Sequence, residues 1–287
     1  MNTKRNNVSA KATAKASLRL ALMVCLTFFL LTGCSLSASN TTAMEMQAGV
    51  QTGAPSIISR AVIIDTTSST AQEFSESVCN SLIEELGSWG GEPGSDPANG
   101  EDGIPGLELW IFVVGGNPTA SDSAISLHIS LPGIAGLGAR PGLDDENFHN
   151  AIQAWNKDKS RYEDDLAAWQ AACDSAVAAL QDLDIHTNQR SDIFSTIAAT
   201  SLYVIPGADL LLASDLENTK DPQQAGDLSG SKVYVLQPIP SGDMAAADTF
   251  YSAAVTYLTS LGVKKNDISR YPVEQMSEAV HAFMYGD

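Results

Sequence analysis

Residues 61–69 read Ala-Val-Ile-Ile-Asp-Thr-Thr-Ser-Ser, an apolar run that ends in one carboxylate and a group of hydroxyls. A short apolar run followed by polar residues is typical of a buried strand. The amphipathic pattern of residues 71–86 predicts a helix directly after it. A strand that leads into a helix in this way favours a parallel α/β sheet. Asp65 is therefore predicted to lie at the carboxyl end of a strand, where such sheets bind their ligands.

The side chains that follow this strand are oxygen donors. The spacing Asp65-x-Thr67-x-Ser69 places one carboxylate and two hydroxyls on the same side of an extended turn. Carboxylate and hydroxyl oxygens suit hard cations. The stretch therefore predicts a site for one divalent cation, and we expect Mg²⁺ there, with Mn²⁺ or Ca²⁺ as alternatives.

Two later stretches resemble further parts of a known cation site. Ser191-Asp192 opens a predicted helix, and the apolar run of residues 208–213 ends in Ser214-Asp215. With residues 65–69 they resemble the metal-ion-dependent adhesion site (MIDAS) of von Willebrand factor type A domains. That site combines Asp-x-Ser-x-Ser, a Thr-Asp or Thr-Asn pair at a helix start, and a strand that ends in Thr-Asp-Gly.

The chain departs from the family pattern in its first and last motifs. Thr67 replaces the middle Ser of the first motif, and Leu216 replaces the Gly of the last motif. The order of elements nevertheless resembles the family over residues 57–287.

The resemblance implies a fold, a site and a function. The implied fold is α/β, with a doubly wound, mainly parallel sheet between helices in a three-layer arrangement. Five residues would hold the cation directly or through water: Asp65, Thr67, Ser69, Ser191 and Asp215. In such a site an open position on the cation accepts a carboxylate from a protein partner, so the implied function is protein binding, without catalytic residues.

Simpler roles for the hydroxyls remain open. Ser69 with Gln72 three positions later fits a capping box, and Ser191 before an apolar helix fits an N-cap. The two roles are compatible, because a capping hydroxyl keeps a lone pair for a cation.

The N-terminal residues 1–33 predict a lipoprotein signal peptide. Five Lys and Arg side chains precede or begin an apolar core at residues 20–31, which is short for a membrane span. The core ends in Leu-Thr-Gly-Cys at residues 31–34, which resembles the bacterial lipobox and implies cleavage before Cys34 and lipidation of its thiol. Residues 34–56, rich in Ser, Thr and Ala, predict a flexible tether. We therefore expect an extracytoplasmic protein held at the cell membrane or outer membrane; an uncleaved anchor is the alternative.

Charge argues against two classes of partner. Without residues 1–33 the chain would carry 11 Lys and Arg against 34 Asp and Glu. A nucleic-acid-binding surface requires a basic footprint, and anionic lipid also attracts basic segments. Neither partner is expected.

Cys79 and Cys173 are the cysteines that follow Cys34. Both lie on apolar faces of predicted helices, so either a disulfide in an oxidising compartment or two buried free thiols would fit.

The rest of the chain alternates predicted strands and helices, which favours one α/β domain over residues 57–287. An acidic, turn-rich loop is predicted at residues 90–106. The longest helical pattern covers residues 146–183, and because this exceeds the usual globular length we consider a break between residues 158 and 161. After the first predicted strand, which ends at Asp65, further strands are predicted at residues 107–114, 124–131, 209–214, 232–237 and 267–271.

The sequence also leaves alternatives to metal-mediated protein binding. A tethered scaffold or assembly subunit with a vestigial metal site is the main alternative. A phosphoryl-transfer enzyme with Asp65 as nucleophile would want a second Asp where Thr67 stands. A small-solute receptor would want two lobes, which one sheet of this length does not provide.

Overall fold

The computed structural model describes residues 55–67, 70, 72–89, 103–114, 125–143, 147–185, 192–218, 226–239 and 242–286. Ser69, Ser191, Cys34, the predicted tether and most of the acidic loop lie outside these residues, and so do the predictions made for them.

Six strands form one sheet in the order β3-β2-β1-β4-β5-β6. All neighbouring pairs are parallel except β2 and β3, which are antiparallel. The predicted doubly wound, mainly parallel sheet is thus confirmed. The strands are β1 (Ile57–Asp65), β2 (Gly106–Val114), β3 (Leu127–Leu131), β4 (Asp209–Ala213), β5 (Val233–Leu236) and β6 (Ile268–Tyr271).

The strand order places a switch point between β1 and β4. From β1 the chain builds outward to β2 and β3, and from β4 it builds in the opposite direction to β5 and β6. At such a point the connections leave the sheet in opposite directions and open a crevice at the carboxyl ends of the strands. We call this side, where the five parallel strands end, the carboxyl edge, and the opposite side the amino edge.

Helices cover both faces of the sheet, as its apolar strands require. The helices are α1 (Gln72–Ser88), α2 (Phe148–Gln181), α3 (Ile193–Thr200), α4 (Met244–Ser260) and α5 (Met276–Tyr285). Buried residues of α1, α2 and α5 pack on the face that carries Val62 and Ile64. Those of α3 and α4 pack on the face that carries Ala61 and Ile63. Alternate residues of β1 therefore serve two separate cores.

Strand β1 is longer than its apolar run, because it begins at Ile57. Its ladder with β2 runs in parallel register from Ile57 opposite Gly106 to Asp65 opposite Val114. The last seven residues of β1 are all buried, which explains the uninterrupted apolar sequence of a strand covered on both faces.

The prediction of a break between residues 158 and 161 of the long helix is wrong. Helix α2 runs without interruption over 34 residues. It contains neither Gly nor Pro, and the ion pairs of Lys159 with Glu163 and of Arg161 with Asp165 span the suspected position at i,i+4 spacing. Trp155 also anchors this part of α2 by donating its indole N–H to the carbonyl oxygen of Gly138 at 2.9 Å.

Both described cysteines are free thiols. Cys79 on α1 and Cys173 on α2 are buried in the same core. Burial raises the pKa of each thiol to about 11, so both are inert at neutral pH. Of the two alternatives open in the sequence, the structure has the buried thiols.

Within the described part of the chain, none of the helices combines the length and the apolar character needed to cross a membrane.

Candidate functional site

Asp65 ends β1 at the switch point and is completely buried. Its Oδ1 accepts a hydrogen bond from the backbone N–H of Thr67 at 2.9 Å, and its Oδ2 accepts one from the hydroxyl of Ser214 at 2.8 Å. Its carbonyl oxygen accepts a hydrogen bond from the Ser75 hydroxyl of α1 at 2.8 Å. The carboxylate is therefore held in one orientation, with its strand tied to the helix that follows it.

Asp215 follows β4 and is also completely buried. Its Oδ1 accepts a hydrogen bond from the backbone N–H of Glu217 at 3.0 Å, and its carbonyl oxygen accepts one from the Gln237 amide at 3.0 Å. Its Oδ2 is buried and has no hydrogen-bond partner among the residues that the structure describes. A buried anionic oxygen without a donor is costly unless a proton or a cation approaches it.

Register brings the two carboxylates to the same place. Ile64 lies opposite Ala213 in the β1–β4 ladder, so Asp65 and the Ser214-Asp215 pair leave the sheet side by side. The Ser214 hydroxyl joins them, because it donates to Asp65 and accepts the backbone N–H of Leu216 at 2.8 Å.

Electrostatics at this point disfavour two negative charges. Burial raises the pKa of Asp65, and the negative charge of Asp215 raises it further, although the hydrogen bonds from Thr67 and Ser214 act in the opposite direction. A divalent cation would favour the ionised form of Asp65.

Thr67 is buried beside Asp65 and shapes the turn after β1. Besides its N–H bond to Asp65, its carbonyl oxygen accepts the backbone N–H of Thr70 at 2.9 Å. The structure therefore brings Asp65, Thr67 and Asp215 to one place on the carboxyl edge. Ser69 and Ser191 stay predictions.

Helix α3 begins beside the Asp215 segment. Its N-cap is Asp192, not Ser191, and the Asp192 carboxylate accepts the backbone N–H of Ser195 at 3.4 Å. The N–H of the preceding residue, Phe194, is donated to the side-chain oxygen of Asn218 at 3.3 Å. The helix start and the segment after β4 are thus joined directly.

Leu216, which stands where the family pattern has glycine, adopts a left-handed backbone conformation. Its φ is +67°, and it is the one non-glycine residue with positive φ among those described. A leucine in this region is strained by about 1–2 kcal/mol. Its side chain is buried in the core beneath α3 and α4, and this burial offsets the strain.

Two residues of the site were missed in the sequence. Ser214 links the Asp65 carboxylate to the backbone N–H of Leu216, and its only signal is its position between an apolar run and Asp215. Gln237 reaches Asp215 from the end of β5. Its only signal is that it is the first polar residue after the run Val-Tyr-Val-Leu.

The side chains at this position offer oxygen donors suited to a hard cation, but few of these side chains are charged. No group of three or more His, Cys, Asp and Glu side chains suited to a metal occurs within the described ranges. A site here would therefore combine two carboxylates with hydroxyls and water, all of them oxygen donors. The unpartnered Oδ2 of Asp215 is the observation that favours this fit.

No family model matches the chain, and no curated protein matches its sequence. Solved structures with a similar fold include three proteins, each at a low score. Proximal thread matrix protein 1 of the mussel byssus, solved once with a zinc-occupied MIDAS motif, has 9% identity and a TM-score of 0.37, over 80% of this chain and 48% of the mussel protein. An aerotolerance-related membrane protein of Bacteroides fragilis has 12% identity and a TM-score of 0.38, over 79% of this chain and 96% of that one. The pilus adhesin SpaC of Lactobacillus rhamnosus GG has 10% identity and a TM-score of 0.39, over 81% of this chain and 30% of the adhesin.

These neighbours are proteins of the von Willebrand factor type A kind, which is the resemblance that the sequence motifs predict. This chain spans about half the length of the mussel protein. At TM-scores of 0.37 to 0.39 the likeness concerns only the general arrangement of strands and helices.

Proposed function

We propose that this domain binds a protein partner through one divalent cation at the switch point between β1 and β4. Asp65, Thr67 and Asp215 would hold the cation, with Ser69 and Ser191 completing the set. The observation that carries the proposal is the pair of fully buried carboxylates at adjacent strand ends, one with an unpartnered oxygen. When bound, a cation supplies an open coordination position that a carboxylate from the partner can occupy.

Two exposed apolar side chains lie close in sequence to Gln237. Ile239 and Met244 flank the start of α4 and are 37% and 53% exposed. They follow Gln237, whose side chain contacts Asp215. Exposed apolar side chains beside a charged centre supply contact area around a polar anchor.

We also propose that the domain is not an enzyme. A phosphoryl-accepting nucleophile needs a nearby general acid. Thr67 stands where that acid would be expected.

Attachment to the membrane through a lipidated Cys34 is part of the proposal. It rests on the short apolar segment and the lipobox-like residues 31–34. Fractionation and N-terminal mass measurement of wild type and Cys34→Ser test it. We expect a lipid-modified wild type in the membrane fraction and a released variant; an unmodified Cys34 in the wild type would contradict it.

The experiment for the cation is calorimetric titration of the soluble domain with Mg²⁺, Mn²⁺ and Ca²⁺. We expect binding to the wild type, loss of binding in Asp65→Ala and in Asp215→Ala, and unchanged binding in Asp174→Asn. The last variant removes the same charge from an exposed position on α2, so it controls for the acidity of the chain as a whole.

A tethered scaffold with a vestigial site is the second candidate. It is favoured by the internal hydrogen bonds of Asp65 and by Leu216 at a position where the family has glycine. A folded, monodisperse wild type that responds to no cation at millimolar concentration would favour the scaffold over the cation site.

A further inference from the structure

Gln237 is a buried amide that reaches across the carboxyl edge. It follows β5 directly and is 2% exposed. Its backbone N–H donates to the carbonyl oxygen of Tyr271, which continues the pairing of β5 with β6 by one residue. The side chain is thus fixed at its base by the sheet.

Both hydrogens of the Gln237 amide are used. Nε2 donates to the carbonyl oxygen of Asp215 at 3.0 Å and to that of Ala247 in α4 at 3.0 Å. Because both partners are carbonyl oxygens, which only accept, the amide has one orientation that satisfies them. Gln237 therefore bridges the segment after β4 to α4.

The oxygen of the same amide has no partner. Oε1 of Gln237 is buried without a hydrogen-bond donor among the described residues. An apolar residue of similar size would avoid this unsatisfied acceptor. The role of Gln237 must therefore lie in the two bonds that its nitrogen donates.

One of those bonds acts on the peptide unit between Asp215 and Leu216. Its carbonyl oxygen accepts from Gln237, and its N–H donates to the hydroxyl of Ser214, which in turn donates to Asp65. A single peptide plane thus links the two candidate ligands.

This peptide plane precedes the strained residue. Rotation of the plane would change ψ of Asp215 and φ of Leu216 together, as in the difference between type I and type II turns. Leaving its φ of +67° would relieve the backbone strain of Leu216, at the cost of the packing of its buried side chain. The rotation is opposed by the hydrogen bond from Gln237, since the carbonyl oxygen would turn away from the amide.

We propose that Gln237 is a positioning residue of the cation site: it holds the Asp215–Leu216 peptide in the strained orientation that keeps the Asp215 carboxylate beside Asp65. This inference rests on the proposed cation site and names a residue on which its affinity depends. Without Gln237, the peptide turns, the link through Ser214 opens, and the two carboxylates no longer face one point.

The test is the Mn²⁺ affinity of Gln237→Leu, measured by calorimetry on the soluble domain. Loss of the positioning bond is expected to weaken Mn²⁺ binding about tenfold. Gln237→Asn, whose amide is one methylene too short to reach both carbonyls, is expected to weaken it less and serves if the leucine variant does not fold. Equal affinity in wild type and in a folded Gln237 variant would overturn the inference.

A control separates positioning from general stability. Thr200→Val removes another buried bond from a side chain to a carbonyl oxygen, that of Thr200 to Thr196 at 2.8 Å in α3. It should lower the unfolding temperature without changing Mn²⁺ affinity. If Thr200→Val weakens Mn²⁺ binding as much as Gln237→Leu, the effect is one of stability and the inference is wrong.

The variant Leu216→Gly tests the role of the backbone strain at this residue. Glycine adopts positive φ without strain, so the peptide should keep its orientation without help from Gln237. In the Leu216→Gly background, Gln237→Leu should change Mn²⁺ affinity by less than about threefold. A full tenfold loss there would overturn the mechanism. A wild type that binds none of the three cations would instead overturn the proposed function, and this inference with it.

Discussion

The two ends of the β1–β4 pair differ in whether their buried carboxylates are paired with a basic side chain. At the amino edge, Arg60 lies opposite Asp209 in the ladder, and the guanidinium Nη1 lies 3.1 Å from the Asp209 carboxylate. At the carboxyl edge, Asp65 and Asp215 are both buried, and no Lys or Arg among the described residues forms an ion pair with either.

The amino edge is neutral by its own side chains. The second Asp209 oxygen accepts the backbone N–H of Lys232 at 3.0 Å, and the guanidinium lies 5.9 Å from the ring centre of Phe283. Burial lowers the pKa of Arg60, and the Asp209 charge opposes this shift. One end of the strand pair thus buries a matched pair of opposite charges, whereas the other buries two carboxylates that no basic side chain of the described residues pairs with.

The largest effect is expected from breaking the balanced end. Arg60→Leu leaves Asp209 buried without its cation, which should lower the free energy of unfolding by about 3–5 kcal/mol. Urea denaturation at neutral pH measures this. Asp209→Asn in the same background should restore part of the loss, because Asn still accepts the Lys232 N–H. A loss below 1 kcal/mol would mean that the pair is solvated.

The next effect concerns the unbalanced end. At a cation concentration one hundred times the Kd, the wild type should gain about 2.7 kcal/mol, which raises Tm by about 5–10 °C for a domain of this size. Thermal unfolding with cation and with chelator measures the difference. Arg60→Leu should keep the same cation-induced shift from its lower baseline, since it leaves the carboxyl edge intact; a lost shift would show that the two ends are coupled.

Neutralising one carboxylate should matter little when no cation is present. Asp65→Asn keeps an oxygen for the Thr67 N–H and removes the repulsion from Asp215, so metal-free stability should change by no more than about 1 kcal/mol. With cation present the variant should have a lower free energy of unfolding than the wild type, since it lacks a charged ligand. Chemical denaturation in chelator and in Mn²⁺ gives both values. A large loss in chelator would favour a purely structural Asp65.

The smallest effect is expected at an exposed pair. Arg161 and Asp165 lie 3.8 Å apart on α2, with side chains 72% and 55% exposed. Arg161→Gln preserves helix propensity and should change the free energy of unfolding by less than about 0.5 kcal/mol. A loss as large as that of Arg60→Leu would contradict the view that burial decides what an ion pair contributes.

Much of the fold follows from the sequence, because its patterns are local. The uninterrupted apolar runs at residues 61–64 and 210–213 predict strands buried on both faces, and β1 ends at Asp65 while β4 ends at Ala213. The helical pattern around Trp155, Tyr162 and Trp169 predicts the long helix, although not its continuity. Hydrophobic period and strand ends are properties of neighbouring residues, so they can be recognised without knowledge of the fold.

Other features depend on contacts between distant parts of the chain. The sequence does not state that β4 lies beside β1, yet this order alone brings the Ser214 hydroxyl to Asp65 across 149 positions. The positive φ of Leu216 and the reach of Gln237 from β5 to Asp215 likewise have no local signature. The sequence determined which side chains stand at the ends of strands. Only the tertiary structure decided which strand ends meet, because pairing is selected by the burial of whole faces of the sheet and not by the residues at its edge.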